Sequence, residues 1–243
     1  MWHQSNHATA MRFAQVGRVG DMPTAMITGA SRGLGAAIAT ALAPTHTLFL
    51  AGRPSAQLDE VAQRLGATTW EIDFDDVDTI PAAVEPIVEL DVLIHNAGVA
   101  YPARVAESTV DEWRATMNVN VIGAVALTLA LLPALRAAPD GQVVFINSGS
   151  GINASPGLAS YSASKFALRA FADSLRNDEA GLRVTSVHPG RIATEMQQDL
   201  RAYEGRDYNP ADFLSAETVA KVTADAVNAP ADAHIHEVIV RPR

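Results

Sequence analysis

The chain has 243 residues, of which 48% are hydrophobic and 19% charged, and its formal net charge is −9. This length is enough to bury a large core in one α/β domain, and the negative charge argues against nucleic acid and anionic membranes as partners. The sequence has no cysteine, which excludes disulfides and thiolate metal sites and fits a reducing compartment, so we predict a cytoplasmic protein.

Residues 1–21 have neither the apolar core of a secretory signal nor the Arg and Ser density of a transit peptide. Met22 opens a segment that leads directly into the first predicted strand. We therefore predict a disordered tail over residues 1–21, with an arm on a partner subunit as the alternative. Residues 22–243 are predicted to form one domain.

A glycine-rich turn follows the first predicted strand, residues 24–27, and precedes an apolar helical segment, residues 36–42. Its glycines are Gly29, Gly33 and Gly35, in the spacing Gly-x-x-x-Gly-x-Gly rather than the common Gly-x-Gly-x-x-Gly. Glycines let the backbone approach a pyrophosphate, and the free N–H groups and dipole of a helix N-terminus favour its charge. A tight loop is the alternative, but the position between strand and helix favours a phosphate site.

The end of the second predicted strand bears on the choice of nicotinamide cofactor. An NAD site generally places a carboxylate there, near the adenosine ribose, whereas this chain has Arg53. Arg53 and Arg32 can form a fork around a ribose 2′-phosphate, so we predict NADP rather than NAD. In the alternative, Arg32 caps a solvated turn and Arg53 pairs with a nearby acid such as Asp59.

Strand-like apolar runs alternate with helical segments along the rest of the chain. This alternation predicts a Rossmann-like doubly wound parallel sheet with helices on both faces, in a single α/β domain. Such sheets bind ligands at the carboxyl ends of their strands. The further runs are residues 47–51, 68–72, 92–95, 142–147, 183–188 and 237–240.

The longest apolar stretch, residues 119–135, is interrupted by Asn120 and Pro133 and is shorter than a comfortable bilayer span. It predicts a buried helix that can pack against another subunit, and no membrane partner.

Tyr161 and Lys165 are one helical turn apart, on the same helix face. A neighbouring ammonium lowers the pKa of a tyrosine from about 10, and such a tyrosine can give a proton to a carbonyl oxygen or take one from an alcohol. The pair alone is also typical of a solvated amphipathic helix. Ser148, just after the predicted strand 142–147, can bring a hydroxyl beside Tyr161.

These motifs together resemble the short-chain dehydrogenase/reductase family in its short single-domain form, over about residues 22–243. The resemblance implies an NADP(H)-dependent oxidoreductase that interconverts a ketone or aldehyde with an alcohol by hydride transfer. The motifs that carry it are Thr28-Gly29-x-x-x-Gly33-x-Gly35, Asn96-Ala97-Gly98, Asn120, Ser148, Tyr161-x-x-x-Lys165 and Pro189-Gly190.

The resemblance also assigns a catalytic set. Tyr161 exchanges the proton with the substrate oxygen, Ser148 hydrogen-bonds that oxygen, and Lys165 lowers the Tyr pKa and holds the nicotinamide ribose. Asn120 resembles the residue that kinks the fourth helix and holds a water connecting Lys165 to solvent. The neighbouring Asn118 is the alternative, and either side chain can instead be a helix-face amide bonded to backbone.

The predicted cofactor contacts extend over both ends of the dinucleotide. Asp73 resembles the family's adenine-contacting acid, and residues 96–98 resemble the segment that lines the adenine ribose. The Ile192 backbone and the Thr194 hydroxyl resemble the groups that hold the nicotinamide carboxamide. Residues 73–96 are shorter than the family's usual third-helix region, and ordinary turns are the alternative for these segments. The full predicted set is Gly29, Ser31, Arg32, Gly33, Leu34, Gly35, Arg53, Asp73, Phe74, Asn96, Ala97, Gly98, Tyr161, Lys165, Pro189, Gly190, Ile192 and Thr194.

The remaining expectations concern partners. We predict a small-molecule carbonyl or alcohol substrate beneath a lid over residues 195–213, no metal, and a homodimer or homotetramer paired through residues 110–135 and 155–177, as in the family. A hydrolase is not expected, because the Gly-x-Ser-x-Gly elbow is absent. A protein that senses NADP(H) without turnover is the rival on the same fold, and the intact catalytic set argues against it.

Overall fold

Seven parallel strands form one sheet in the order β3-β2-β1-β4-β5-β6-β7, in a computed structural model that describes residues 22–243. The chain order reverses between β1 and β4, so a crevice opens there at the carboxyl ends of the strands. All seven predicted strands are present. Their bounds are β1 Thr24–Thr28, β2 Thr47–Gly52, β3 Thr68–Glu71, β4 Val92–His95, β5 Gln142–Ile146, β6 Arg183–Pro189 and β7 Glu237–Val240.

Eight α-helices in the described residues connect and cover these strands. They are α1 Gly33–Leu42, α2 Ala56–Leu65, α3 Ile80–Val84, α4 Val110–Met117, α5 Gly123–Ala137, α6 Ala159–Asp178, α7 Glu195–Tyr203 and α8 Ala216–Val227. A π-helical segment, Asn118–Ile122, joins α4 to α5 without a break. The predicted tail, residues 1–21, lies outside the described residues.

Two hydrophobic clusters lie on opposite faces of the sheet. Helices α1, α2 and α8 cover one face, and α3, α5 and α6 cover the other. Alternation along β5 shows why: Val144 and Ile146 enter the first cluster, whereas Val143 and Phe145 enter the second. Buried on both faces, the strand is a continuous apolar run in the sequence. Packing of helices on both faces of the sheet fixes the positions of the strand ends that carry the site. This arrangement confirms the predicted doubly wound single domain.

The helical stretch Val110–Ala137 is long and apolar enough to cross a membrane by length and composition alone. Half of its most apolar window is buried inside the protein, and a core helix of a globular protein meets the same criteria. The predicted buried helix over residues 119–135 therefore exists as the larger part of this stretch, with its inner face against the sheet.

The segment between β3 and β4 contains only a 3₁₀ turn, Val77–Thr79, and the five-residue helix α3. Ile80 and Val84 from this short helix fill the cluster beneath α5. The segment thus closes the core while leaving little structure at the β3 edge of the sheet.

Candidate active site

The glycine turn after β1 requires glycine for conformational and steric reasons. Gly29 and Gly33 have φ angles of 66° and 55°, a region that other residues rarely adopt. A Cβ atom on Gly29 would lie 2.9 Å from Cα of Ala97, and one on Gly35 would lie 2.5 Å from Nδ2 of Asn96. The backbone here is therefore open to a ligand that side chains would otherwise exclude.

Helix α1 begins in this turn without a cap that would compete for an anion. Arg32 occupies the N-cap position but makes no capping hydrogen bond, and the first turn of α1 has no acidic residue. Ser31 is half-buried, and the Leu34 side chain packs into the core. The groups that remain to contact an anion at the helix start are the backbone N–H groups. A glycine cradle at a helix N-terminus fits a pyrophosphate.

The turn after β4 is tied to the glycine turn. Asn96 Nδ2 donates to the carbonyl oxygens of Thr28, at 2.9 Å, and Gly29, at 3.2 Å. The Thr28 hydroxyl accepts from the backbone N–H groups of Asn96 and Ala97, both at 3.0 Å. The predicted ribose-lining residues therefore also hold the cradle in shape.

Arg32 and Arg53 are each paired with a carboxylate. Nε of Arg32 lies 3.1 Å from Oε2 of Glu195, at the start of α7, and Nη1 of Arg53 lies 3.4 Å from Oδ2 of Asp75. The acid beside Arg53 is thus Asp75 rather than Asp59. All four side chains are largely exposed, and such surface pairs contribute only about 0–1 kcal/mol, so either guanidinium can turn toward a stronger anion.

The residues after β3 lie beside the π-helical segment. Asp73 Oδ1 accepts a 3.0 Å hydrogen bond from the N–H of Asp75, and Phe74 is buried against Gly123, where any Cβ would overlap its ring. Asn118 Nδ2 donates to the carbonyl oxygen of Asp75 at 3.3 Å. Asn118 therefore belongs to the side of the site where adenine is predicted.

Asn120 belongs to the opposite side and is fully buried. Its Nδ2 donates to the carbonyl oxygen of Val99 at 2.9 Å and to Oγ of Ser164 at 3.0 Å, and its Oδ1 accepts from the Val99 N–H at 2.8 Å. A Cβ on Gly98 would lie 3.2 Å from this Oδ1 and 3.8 Å from Nζ of Lys165. Of the two asparagines, Asn120 is the one placed near the predicted catalytic lysine.

The predicted catalytic side chains meet at the end of β5. The Ser148 side chain lies close enough to the Tyr161 hydroxyl to act on its pKa, and Ser148 Oγ accepts from the N–H of Ser150 at 3.1 Å. Lys165 is buried, with Nζ 2.9 Å from the carbonyl oxygen of Ile146 and 5.7 Å from the centre of the Tyr161 ring. The strand and the helix thus bring together a phenol, a hydroxyl and an ammonium.

The pKa of Tyr161 is the one expectation here that is wrong. Its hydroxyl is surrounded by protein, and this burial raises the pKa above 10.0, while the hydrogen bond with Ser148 acts in the lowering direction. Burial also lowers the pKa of Lys165 from 10.5 to about 8. The predicted lowering of the Tyr161 pKa by Lys165 fails because desolvation dominates and the Lys165 ammonium is directed at the carbonyl oxygen of Ile146.

The loop after β6 reaches back to the glycine turn. Beyond Pro189, where β6 ends, the N–H of Gly190 donates to the carbonyl oxygen of Val240 at 2.7 Å, which closes the loop against β7. Ile192 forms an isolated bridge with Leu214. Thr194 caps the N-terminal end of α7 with extended backbone, and its Cγ2 is 3.7 Å from where a Cβ on Gly33 would lie. The loops that are predicted to hold the two ends of a dinucleotide therefore meet across the crevice.

Helix α7 fills the first half of the predicted lid. Its C-terminal end is held by Glu204, which pairs with both Arg191 and Arg201. The Tyr203 ring rests on Gly157, where a Cβ would lie 2.9 Å from the ring carbon Cε1. Gly157 belongs to the segment just before Tyr161, so the predicted lid contacts the segment that leads to the predicted catalytic tyrosine.

Sequence reasoning missed the buried histidine at the end of β4. His95 Nε2 lies 2.8 Å from Oγ1 of Thr128, and its ring stacks on Phe145 with centroids 4.9 Å apart. Because the Thr128 hydroxyl donates to the carbonyl oxygen of Ala124, Nε2 of His95 carries the proton. Burial, helped by the charge of Lys165, lowers the pKa of His95 to about 3. A polar residue at the end of an apolar strand is the only sequence signal for it.

Comparison with known proteins identifies the family. A profile of the family described as short chain dehydrogenase matches residues 23–205. The chain is 36% identical over 236 residues to the glycine betaine reductase ATRR of Emericella nidulans, an alignment that covers 90% of this chain and 18% of that protein. The chain therefore spans less than a fifth of that relative's length.

Solved structures share the fold and differ in their nicotinamide ligand. An alcohol dehydrogenase from the archaeon Thermococcus sibiricus, complexed with 5-hydroxy-NADP, has a TM-score of 0.82 and 25% identity, covering 91% of this chain and 97% of its own. A 3-oxoacyl-acyl-carrier-protein reductase from Brucella melitensis, in complex with NAD, has a TM-score of 0.77 and 27% identity, covering 90% and 95%. Fold and site together define a nucleotide-binding α/β oxidoreductase. The chain belongs to the short-chain dehydrogenase family, as the sequence resemblance predicts.

Proposed function

We propose that the protein is an NADP(H)-dependent reductase or dehydrogenase that interconverts a ketone or aldehyde with an alcohol. The observation that carries this proposal is that the Tyr161 and Ser148 side chains come together at the end of β5, close enough for Ser148 to act on the Tyr161 pKa. Two hydroxyls held together beside a glycine cradle can bind one substrate oxygen and exchange a proton with it.

The protonation states favour proton donation to a carbonyl. Tyr161, with its raised pKa, stays protonated at neutral pH and is ready to act as the acid. Ser148 donates a second hydrogen bond to the same oxygen, which stabilises the negative charge that develops there. When bound, the nicotinamide supplies or accepts the hydride. Lys165 places a positive charge beneath the tyrosine at pH values below about 8.

The preference for NADP rests on Arg32 and Arg53. Arg32 is the N-cap residue of α1 and Arg53 follows the end of β2, and a bidentate guanidinium suits a 2′-phosphate better than a ribose hydroxyl. Their present partners, Glu195 and Asp75, are exposed carboxylates that a dianionic phosphate can replace.

The test is consumption of NADPH against a panel of ketones, aldehydes and quinones, with NADH as the comparison and Tyr161→Phe as the matched variant. We expect turnover that favours NADPH and falls by about 10²–10⁴ in the variant, with NADPH binding retained. Turnover that survives in Tyr161→Phe would overturn the assigned acid. Saturable NADPH binding with no turnover on any compound would favour the rival sensor function.

We also propose a homodimer or homotetramer formed through α4, α5 and α6. Apolar side chains stand exposed on these helices and on the π-helical segment, among them Ile122, Leu129 and Phe166, and a surface hollow of about 460 Å³ lies beside Ile122. A monomer in light scattering at micromolar concentration would contradict this assembly. The cytoplasmic location stays a prediction from the sequence.

A further inference from the structure

His188 is a buried group that the proposed mechanism does not use. It lies at the carboxyl end of β6, has no exposed surface, and its Nδ1 is 3.2 Å from the carbonyl oxygen of Ser148. A carbonyl oxygen only accepts hydrogen bonds, so Nδ1 carries the proton and donates. The buried histidine thus holds the backbone of the residue whose hydroxyl meets Tyr161.

The other ring nitrogen faces a carboxylate. Nε2 of His188 is 3.7 Å from Oε1 of Glu237, too far for a hydrogen bond, and it has no hydrogen-bond partner among residues 22–243. Ser186 pairs with Glu237 in the β6–β7 register, so Glu237 and His188 are diagonal neighbours on the face covered by α6. Glu237 in turn accepts from Nε of Arg169 at 3.0 Å.

Arg169 lies on α6, the helix that also carries Tyr161 and Lys165. The contacts Ser148–His188–Glu237–Arg169 therefore connect the strand end that presents Ser148 with the helix that presents Tyr161. Burial lowers the pKa of His188, and the nearby Arg169 and Arg241 act in the same direction, against the Ser148 hydrogen bond and Glu237. The ring is neutral at pH 7, in the tautomer that the Ser148 contact requires.

A second group holds the same turn. Nη1 of Arg241 donates to the carbonyl oxygen of His188 at 2.7 Å, and its guanidinium lies 3.4 Å from where a Cβ on Gly149 would be. The turn that begins at Ser148 is thus enclosed by His188 and Arg241.

From this arrangement we propose that His188 is a positioning residue: its Nδ1–H fixes the Ser148 backbone so that the Ser148 hydroxyl stays in register with Tyr161. The proposal rests on the proposed carbonyl chemistry for its effect on rate, but the fixing of the turn is independent of turnover. Loss of the donor releases the turn and misplaces Ser148, whereas replacement by another donor at the same position does not.

The test compares three substitutions at this position. Asn places its Nδ2 where Nδ1 of histidine lies, whereas Gln places its amide near the Nε2 position, and Leu has similar bulk and no donor. We expect kcat to fall about tenfold or more in His188→Leu and His188→Gln and to stay within about threefold of wild type in His188→Asn. The dissociation constant for NADPH should be unchanged in all three, which also shows that they fold.

Hydrogen exchange of the amides of Ser150 and Gly151 gives a readout without turnover, because both bond to Ser148. Exchange should be faster in His188→Leu than in His188→Asn, even if the wild-type protein turns over none of the compounds tried. His46→Leu is the control: this buried histidine lies just before β2, which is four strands away from β6 in the sheet. Equal losses of kcat in His188→Asn and His188→Leu, or wild-type kcat and exchange in His188→Leu, would overturn the proposal.

Discussion

The Lys165 ammonium donates a 2.9 Å hydrogen bond to the carbonyl oxygen of Ile146, two residues before Ser148. This bond fixes the charge from α6 at the end of β5, beneath the hydroxyl pair. It also gives Lys165 one defined partner in a buried setting, where desolvation lowers its pKa to about 8.

The first prediction follows from that pKa. Lys165 is charged below pH 8 and neutral above it, and the charged form attracts the anionic cofactor. We therefore expect kcat/KM for NADPH, which reports ionisations of the free enzyme, to fall as the pH rises through about 8. In Lys165→Arg the charge persists to pH 12 and beyond, so the fall in kcat/KM above about pH 8 should disappear. A wild-type profile that is flat between pH 7 and 10 would contradict the assignment.

The second prediction concerns the Ser148 hydroxyl. Removing it in Ser148→Ala deletes one donor to the developing oxyanion, and we expect kcat to fall by about 10²–10³. Ser148→Thr retains the hydroxyl and should recover part of the rate. Ser150→Ala is the matched control, because Ser150 contacts Ser148 through its backbone N–H. Steady-state kinetics with the best substrate of the panel measure all three, and equal rates for Ser148→Ala and Ser150→Ala would exclude the role.

The third prediction concerns acid stability. The pKa of His95 is about 3 in the folded protein and about 6.5 when unfolded. Below pH 6.5 the unfolded state therefore binds the extra proton, and the free energy of unfolding decreases as the pH falls toward 3. For this group alone the loss is about 2 kcal/mol between pH 8 and pH 5.

Urea denaturation at these two pH values measures the effect, with His95→Gln as the comparison. The Gln amide can still donate to Thr128 but does not titrate, so the variant should lose about 2 kcal/mol less on acidification than wild type. An identical loss in both proteins would show that His95 is not the group responsible.

The fourth prediction uses two glycines. A Cβ on Gly35 would overlap the carbonyl oxygen of Gly29, whereas one on Gly181 would meet nothing within 4 Å. We expect Gly35→Ala to lower the free energy of unfolding by about 1–3 kcal/mol and to weaken NADPH binding, because the cradle must shift. Gly181→Ala should change neither quantity. Thermal denaturation and fluorescence titration with NADPH test both variants, and normal binding by Gly35→Ala would argue against the cradle.

The fifth prediction addresses cofactor choice. If Arg53 binds the 2′-phosphate, Arg53→Ala loses a charge-assisted contact, and the dissociation constant for NADPH should rise about tenfold or more while that for NADH stays the same. Arg114→Ala, which removes an equally exposed arginine from α4, is the control. Parallel weakening of NADPH and NADH in Arg53→Ala would assign the residue to the pyrophosphate or to structure instead.

The parts of the fold that the sequence predicts well depend on local patterns. Strands β1, β2, β4 and β5 are buried on both faces, so they appear as apolar runs in the sequence, and the glycine turn is defined by its spacing and position. The pairing of Tyr161 with Lys165 is likewise a local matter of helix geometry.

The parts that it does not predict depend on register and burial. The partner of His95 is Thr128 and that of His188 is the carbonyl oxygen of Ser148, and only the paired strands and packed helices bring these residues together. The pKa of Tyr161 moves opposite to the expected direction because its hydroxyl is desolvated by tertiary packing, which no spacing along one helix can report.

The π-helical segment between α4 and α5 amounts to one extra residue in an otherwise continuous helix. Each residue of an α-helix turns the chain by about 100°, so this insertion rotates the two halves of the stretch relative to each other. Asn118 and Asn120 are two positions apart, which places them on nearly opposite sides of the helix, so Asn118 faces the β3 edge while Asn120 faces α6. One continuous helical stretch thus supplies an asparagine side chain to each end of the site. Deleting a single residue from the π-helical segment would turn one of these two asparagines away from its end.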